Sequence, residues 1–442
     1  MNQFDITTEV FAINQTENSH ILYAPTVGVA CLINNDTLNL LTNIRQMDEK
    51  DLSDEQRVVL NFLIHKKIVN STTDSQITSK TSAELSPNKL TLFPTHRCQL
   101  NCCYCYAEDQ TKINSFMSNE IVESAIEYYV GLMTRENRSV FNLELHGGGE
   151  PFADWDLAQF IISEAEQRCQ ENDFKLTAVA GTNGIFNDTQ LHWIIQHIHS
   201  LNISFEGLPH IQGIHRPFKN GENSFPIVDN SLKFFDDHNF PYALRITVTH
   251  HNEKLLPETI QFILDNYNTG LIHIEPVYSC GNVHEAAEAL QPDLNHFAEV
   301  YLQLDEICRE RNVQLEYSGC QFDRLKTNFC YVGTDDFAVT TDGYLTNCWE
   351  VSDMSHPAAD IFIFGKLLPG GNIEIDQKKL AFLKSLNLEN FEFCANCFAK
   401  YQCAGDCVLK LGHNNYHGPR GGDRCTSTRK LVANRLLQLL EE

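Results

Sequence analysis

The chain has 442 residues, 42% of them hydrophobic and 21% charged, which is the make-up of an ordinary globular protein long enough for two or three domains. A formal net charge of −25, from 33 basic and 58 acidic side chains, excludes a nucleic-acid or anionic-membrane surface as the main partner. No basic segment followed by an apolar run opens the chain and no stretch approaches 18 apolar residues, so no secretory signal or membrane span is expected; sixteen cysteines then point to metal ligation in a reducing cytoplasm.

Residues 1–70 read as a small module. Ser19 to Tyr23 and Val27 to Ile33 are short apolar strands, and Asp51 to Val69 has helical spacing with Leu52, Val59, Leu60, Leu63 and Ile64 on one side. The pattern resembles the winged-helix leader-recognition domains attached to many peptide-modifying enzymes, which implies a β-edge that captures an extended peptide. Residues 71–88, rich in Ser and Thr, read as a linker.

From 89 to 315 strands alternate with helices. Candidate strands are Lys89–Phe93, Asn142–His146, Leu176–Gly181, Asn202–Phe205, Tyr242–Val248 and Leu271–Pro276, and helical spacing covers Asn119–Thr134, Trp155–Cys169, Ser231–His238 and Leu256–Tyr267. This is an α/β pattern that predicts a mostly parallel sheet with its chemistry at the carboxyl ends of the strands. The first strand is followed by Cys98, Cys102 and Cys105 in a CX3CX2C spacing. Three thiolates on one loop can hold three irons of a [4Fe–4S] cube and leave the fourth iron for a non-protein ligand. A zinc or disulfide loop is the bland alternative.

The second strand runs into Gly147-Gly148-Gly149-Glu150-Pro151, where glycines permit close backbone approach and a carboxylate can accept from an ammonium group. Thr182-Asn183-Gly184 ends the third strand and Ser204-Phe205-Glu206-Gly207 the fourth; Arg216 follows, and Arg245 lies on the fifth strand. After the sixth strand come Glu275, Tyr278 and Cys280. Residues 316–442 carry a second cysteine series: Cys320, Cys330-X12-Gly343-X4-Cys348, then Cys394-X2-Cys397-X5-Cys403-X3-Cys407 and Cys425. Cys31, Cys169 and Cys308 lie in apolar patterns and read as buried hydrophobes.

Together these motifs resemble the radical S-adenosylmethionine (radical SAM) enzymes with a seven-cysteine SPASM domain, as in sulfatase and ribosomal-peptide maturases. The resemblance implies a partial (β/α)6 barrel with a winged-helix-like domain before it and a Cys-rich domain after it. It implies a cluster on Cys98, Cys102 and Cys105 whose open iron chelates S-adenosylmethionine, the source of a 5′-deoxyadenosyl radical. Tyr104 would lie against the adenine, Gly148, Gly149, Glu150 and Pro151 would bind the methionine amino group, and Asn183, Ser204 and Arg216, or Arg245 in its place, would hold ribose and carboxylate. Two auxiliary clusters are implied, one on Cys330, Cys348 and Cys407 with Cys320 as a fourth ligand, the other on Cys394, Cys397, Cys403 and Cys425.

Sulfatase maturases carry an aspartate base directly after the cysteine matching Cys348, whereas here the run is Cys348-Trp349-Glu350. The expectation is therefore a maturase that cross-links a ribosomally made precursor peptide, fed by a low-potential donor such as ferredoxin or flavodoxin. Glu206, Glu275, Tyr278 and Glu350 are the candidate acid–base residues. Oxidation of a Cys or Ser side chain to formylglycine and a non-catalytic iron–sulfur or zinc binding protein are the alternatives.

Overall fold

The computed structural model of the chain describes residues 4–6, 8–70, 85–107, 115–277, 289–411 and 421–441. Most of the expected linker, together with Tyr278 and Cys280, lies outside the described residues.

The N-terminal module is a three-stranded antiparallel sheet, β1 (Phe11–Thr16), β2 (Ser19–Ala24) and β3 (Val29–Asn34), with β2 in the middle. Two helices follow. Asn34 caps α1 (Asn35–Asn43) by accepting from the Thr37 N–H, and a Ser53–Gln56 capping box starts α2 (Asp54–His65). That box and the left-handed Lys67 make the helix shorter than the 51–69 span its apolar spacing suggests. β2 is buried on both faces: Leu22 and Ala24 join a local core with Leu40, Leu41, Leu60 and Leu63, while Ile21 and Tyr23 enter the main core. The module's ends are tied where Asp5 and Asn70 exchange hydrogen bonds of 2.8 and 2.9 Å.

The six expected strands form a parallel array in chain order: β4 (Leu90–Leu92), β5 (Val140–Leu145), β6 (Lys175–Thr182), β7 (Ser200–Ser204), β8 (Tyr242–Val248) and β9 (Leu271–Pro276). The helices between them are α3 (Asn119–Glu136), α4 (Trp155–Glu171), α5 (Asp188–His197), α6 (Pro209–His215), α7 (Phe225–Asp237) and α8 (Leu256–Asn266). Alternation sorts the side chains. On β8, Leu244, Ile246 and Val248 are fully buried toward the helices, which leaves Arg245 and Thr247 on the inner face. Registers Ser204↔Arg245↔His273 and Thr247↔Glu275 put those side chains on that same face.

The sheet is wider than six strands. β10 (Gln314–Glu316) adds in parallel beside β9, and on the other edge β11 (Ala338–Val339) pairs in parallel with β4 before β12 (Tyr344–Thr346), β13 (Ile363–Leu368) and β14 (Asn372–Ile375) continue antiparallel. The cysteine-rich region therefore extends the barrel sheet and shares its core. α7 starts six residues before the expected Ser231, with Pro226 in its first turn where a missing N–H costs nothing. The helix Leu294–Glu310 packs against the C-terminal helix Gly422–Glu441, where Ser427 donates to the Leu294 carbonyl at 2.9 Å. Cys169 and Cys308 are buried, and Cys31 is half-buried. No helix among the described residues is long and apolar enough to cross a membrane.

Candidate functional site

The loop after β4 is positioned from three sides. Backbone hydrogen bonds run from Asn101 N to the Pro217 carbonyl (2.8 Å) and from Cys103 N to the His215 carbonyl (3.0 Å), fastening it to the end of α6. Cys105 N donates to the Cys102 carbonyl at 3.1 Å, closing a turn that carries two of the three thiols. The Glu150 N–H reaches the Arg97 carbonyl at 2.7 Å, so the glycine turn after β5 lies directly on the residues that enter the loop. A Cβ on Gly149 would stand 2.3 Å from that carbonyl. The absent side chain at Gly149 thus admits protein backbone. Gly148, at φ +76°, turns against Thr95 and His96, and Pro151 is buried.

Glu150 is 4% exposed and its carboxylate is already engaged. It accepts from the Thr182 hydroxyl (2.8 Å) and from the N–H groups of Asn183 (2.7 Å) and Phe152 (3.2 Å). Burial pushes its carboxyl up to about 7, against the pull of those donors. A cation placed beside it would restore the charged form. Asn183 in turn aims its amide at the Cys98 sulfur (3.7 Å) and Gln99 Oε1 (3.2 Å), so the β6 end holds the cysteine loop from below.

On the other flank is a buried charge cluster. The Glu206 side chain is wholly enclosed, with Arg216 Nε at 2.7 Å, His215 Nδ1 at 3.3 Å, the Thr247 N–H at 3.2 Å and the Tyr104 hydroxyl donating to it. Burial alone would raise its carboxyl, but Arg216 and His215 hold it below the ordinary value. Arg216 also lies 3.9 Å from the Cys102 sulfur and 5.2 Å from the Tyr104 ring. Tyr104, Glu206 and Arg216 thus meet as one group at Cys102. His215, which sequence reasoning passed over, belongs to the group too, its Nε2 meeting the Thr249 hydroxyl at 2.9 Å. Ser204 is half-buried beside the exposed Arg245 in register. Arg245 interacts electrostatically with Glu275 and with Tyr106.

The remaining carboxylates do not join that group. Glu275 faces His273 (3.2 Å), the Ser318 N–H (3.2 Å) and Arg424 (3.5 Å), and despite its burial His273 and Arg424 hold its carboxyl well below the usual range. Arg424 makes a two-pronged pair with Asp406, both bonds 2.9 Å, with both residues under 5% exposed. This network ties β9 to the residues preceding Cys407 and Cys425. Arg424 and Asp406 sit directly before those cysteines in the chain, the one local sign that could have flagged them. Glu350 pairs with Lys410 at 3.2 Å.

The C-terminal cysteines fall into two neighbourhoods. Cys330, Cys348 and Cys407 interact electrostatically with one another and with Glu350. Cys394, Cys397, Cys403 and Cys425 line a single cavity of about 60 Å³ together with Lys400, Gly405 and Arg429. Cys320 is buried, and Lys326 acts electrostatically on it and on Cys330 alike, with Tyr23 and Tyr301 also among the groups that feel its charge. Among the described residues no three His, Cys, Asp or Glu side chains converge on a single metal ion. Three or four thiolates brought to one place are the donor set of an iron–sulfur cube, in which each sulfur binds a different iron. In the N-terminal loop burial pushes the Cys98 thiol up to about 11 and Cys102 up to about 12.

Trp349 lies flat on Tyr331, centroids 4.3 Å apart, and meets Phe93 and His146 edge-on at 6.0 and 6.4 Å. Lys89 reaches the Tyr331 hydroxyl at 2.8 Å and pairs with Glu144 at 2.5 Å. The position after Cys348 is thus filled by an indole packed on aromatic rings.

Comparison with known proteins matches residues 92–263 to the Radical SAM superfamily model. The chain is 28% identical over 178 residues to an uncharacterized protein of Methanocaldococcus jannaschii, a match covering 40% of this chain and 58% of that protein. It is 25% identical over 335 residues to the serine-type anaerobic sulfatase-maturating enzyme of Klebsiella aerogenes, covering 73% of this chain and 80% of that one. Among solved structures, native anSMEcpe with bound AdoMet superposes with a TM-score of 0.62 at 14% identity over 80% of this chain and 99% of that chain. Streptococcus suis SuiB bound to S-adenosylmethionine superposes with a TM-score of 0.53 at 13% identity, over 95% and 99%. Residues 92–263 are thus similar to the radical SAM superfamily, whose cofactors are a [4Fe–4S] cluster and S-adenosylmethionine, and the chain is an enzyme similar over most of its length to a sulfatase-maturating one.

Proposed function

From the radical SAM domain as premise, we propose that this chain is a SPASM-type maturase that forms a cross-link within a ribosomally made peptide. The observation that carries the reading is the environment of Trp349. Sulfatase maturation needs a carboxylate base after the cysteine matching Cys348. Here that position is an indole stacked on Tyr331, and Glu350, one residue on, is engaged with Lys410. A three-stranded sheet with two helices and a core of its own, joined before the barrel, supports a peptide as the substrate.

When bound, the cluster and S-adenosylmethionine supply a carbon radical able to take one hydrogen atom from unactivated carbon. The chain's own residues hold and orient. Cys98, Cys102 and Cys105 would ligate the cluster; Asn183 and Arg216 direct donors at Cys98 and Cys102; Glu150 offers a buried carboxylate for the methionine ammonium; and Tyr104, fixed by Glu206, presents its ring on the same loop. Arg245, exposed on the inner face of β8, is a cation placed to meet an anionic group there. A cross-linked peptide is two hydrogens short, so a second electron and a proton must leave after the first hydrogen atom. Cys330, Cys348 and Cys407, and the four cysteines of the cavity, would hold the centres that accept that electron, with ferredoxin or flavodoxin as the external redox partner. Glu350 is the charge that acts most strongly on Cys348 and Cys407, Glu275 positions Arg424, and Cys320, which shares Lys326 with Cys330, is the proposed fourth ligand of the first set.

The test is anaerobic reconstitution with iron and sulfide, followed by dithionite, S-adenosylmethionine and the precursor peptide encoded beside the gene. A product two hydrogens lighter whose tandem mass spectrum shows an unfragmented loop, and which does not react with an aldehyde-trapping hydrazide, is the expected result. A hydrazide adduct on a Cys or Ser position would establish formylglycine formation instead.

A further inference from the structure

The N-terminal module rests on the loop between Cys397 and Cys403. Glu9 reaches across, pairing one carboxylate oxygen with the Lys400 ammonium and accepting with the other from the Tyr401 hydroxyl at 2.5 Å. Beside it the Gln402 amide donates to the Tyr23 hydroxyl of β2 at 2.8 Å, in the interior. Lys400 also donates to the Ala395 carbonyl at 3.2 Å and lies 5.8 Å from the Phe11 ring of β1. Its side chain is 8% exposed and lines the same cavity as Cys394, Cys397, Cys403 and Cys425.

We propose that Glu9 is a positioning residue which, through its ion pair with Lys400, sets the reduction potential of an iron–sulfur centre held by Cys394, Cys397, Cys403 and Cys425. The inference rests on the reading of those four cysteines as the ligands of one centre. Such a centre gains one negative charge on reduction, so a cation at its edge favours the reduced form and a compensating anion opposes that. Lys400 is enclosed and acts on the centre with little screening, whereas the partly exposed Glu9 acts through its contact with Lys400. Arg429 on the same cavity, and Asp406, which acts on Cys403 and Cys425, belong to the C-terminal region itself. Glu9 comes from the other end of the chain. The centre therefore senses whether the module is seated: when Glu9 withdraws, Lys400 stands uncompensated and the centre becomes the better electron acceptor. A peptide that shifts the module on docking would in this way open the route by which the second electron leaves.

The experiment is a potentiometric titration followed by electron paramagnetic resonance on the full-length, anaerobically reconstituted protein, with Cys397→Ser identifying the signal of this centre. Glu9→Gln keeps the shape and 41% of the Glu9 side chain is exposed, so iron content equal to wild type is expected to show it folded and loaded. The potential of the identified signal should rise in Glu9→Gln, fall in Lys400→Met, and in the double variant return toward wild type. An unchanged potential in Glu9→Gln, with the signal present, overturns the inference while leaving the ligand set standing. A wild-type spectrum in which no signal depends on Cys397 overturns the ligand set and the inference with it.

Discussion

The two ends of the molecule arrange cysteine differently. After β4, three thiols sit on one loop ringed by charged and polar groups: Glu150 beneath Asn183 on one flank, and Glu206, Arg216 and His215 on the other. At the C-terminus, four thiols contributed by separate turns and a helix enclose a cavity of about 60 Å³. Three ligands and a charged surround leave a coordination position and complementary polar groups for a zwitterionic ligand; four ligands and closure suit a centre that exchanges only electrons. On the proposed function, the contrast separates the place where a cofactor turns over from the place where charge is stored.

The sharpest way to break this contrast is to remove one ligand on each side. Cys102→Ala should abolish 5′-deoxyadenosine formation, read by chromatography, and lower iron from about twelve to about eight per chain. Cys397→Ser should lose a similar four or so irons, yet retain cleavage of S-adenosylmethionine while making no cross-linked peptide. If both variants lose cleavage together, the two sites are not functionally distinct.

The charge pairs supply the next test. Asp406→Asn leaves the buried Arg424 with only the longer Glu275 contact as an ion pair and should lower stability by about 2–4 kcal/mol, seen as a lower urea midpoint. Iron at the C-terminal sites should fall with it. Glu206→Gln likewise takes the anion from the buried Arg216, with a comparable loss of stability, but its further effect should be weaker binding of S-adenosylmethionine with C-terminal iron unchanged.

The smallest effect is a pH dependence at the turnover site. The folded chain holds the Glu150 carboxyl up at about 7, against an ordinary 4.5, so over that window it keeps a proton that the unfolded chain has lost. That contribution to stability is complete below about 4.5 and disappears as pH rises through 7. Between pH 4.5 and 8 the stability of the wild-type chain without S-adenosylmethionine should fall relative to Glu150→Gln by on the order of 3 kcal/mol, measured as the difference in urea unfolding. Saturating S-adenosylmethionine should shrink the difference, because an ammonium beside Glu150 favours its charged form.

Much of the barrel was legible locally. β8 and β9 end where their apolar runs end, since a strand with one face on the helices announces itself by alternation. α5 was missed: Trp193 and the histidines around it blur its apolar stripe, and its Asn187–Gln190 capping box is the signal that would have found it. β11 to β14 are two to six residues long; β11 is held by pairing with the distant β4, while the others form short antiparallel pairs with their chain neighbours, too short for alternation to mark them. At the site, Glu275 looked like a free acid at a strand end, yet it is held by His273 and by Arg424 from the last helix. Gly149 read as a place where backbone approaches a ligand, and the fold adds a second demand on it, the close passage of the Arg97 carbonyl.

What the sequence by itself determined is the kind of chemistry: cysteine spacings, the glycine turn and Trp349 after Cys348 are covalent facts, and the ligand types and the missing base follow from them without a fold. Only the tertiary structure decided which charges meet. Glu206 with Arg216 beside Cys102, Arg424 with Asp406, and Glu9 with Lys400 bring together groups up to 391 positions apart. Each pair is settled by the sheet and helices that carry it into the interior, where a charge must find its partner because water is no longer there to solvate it.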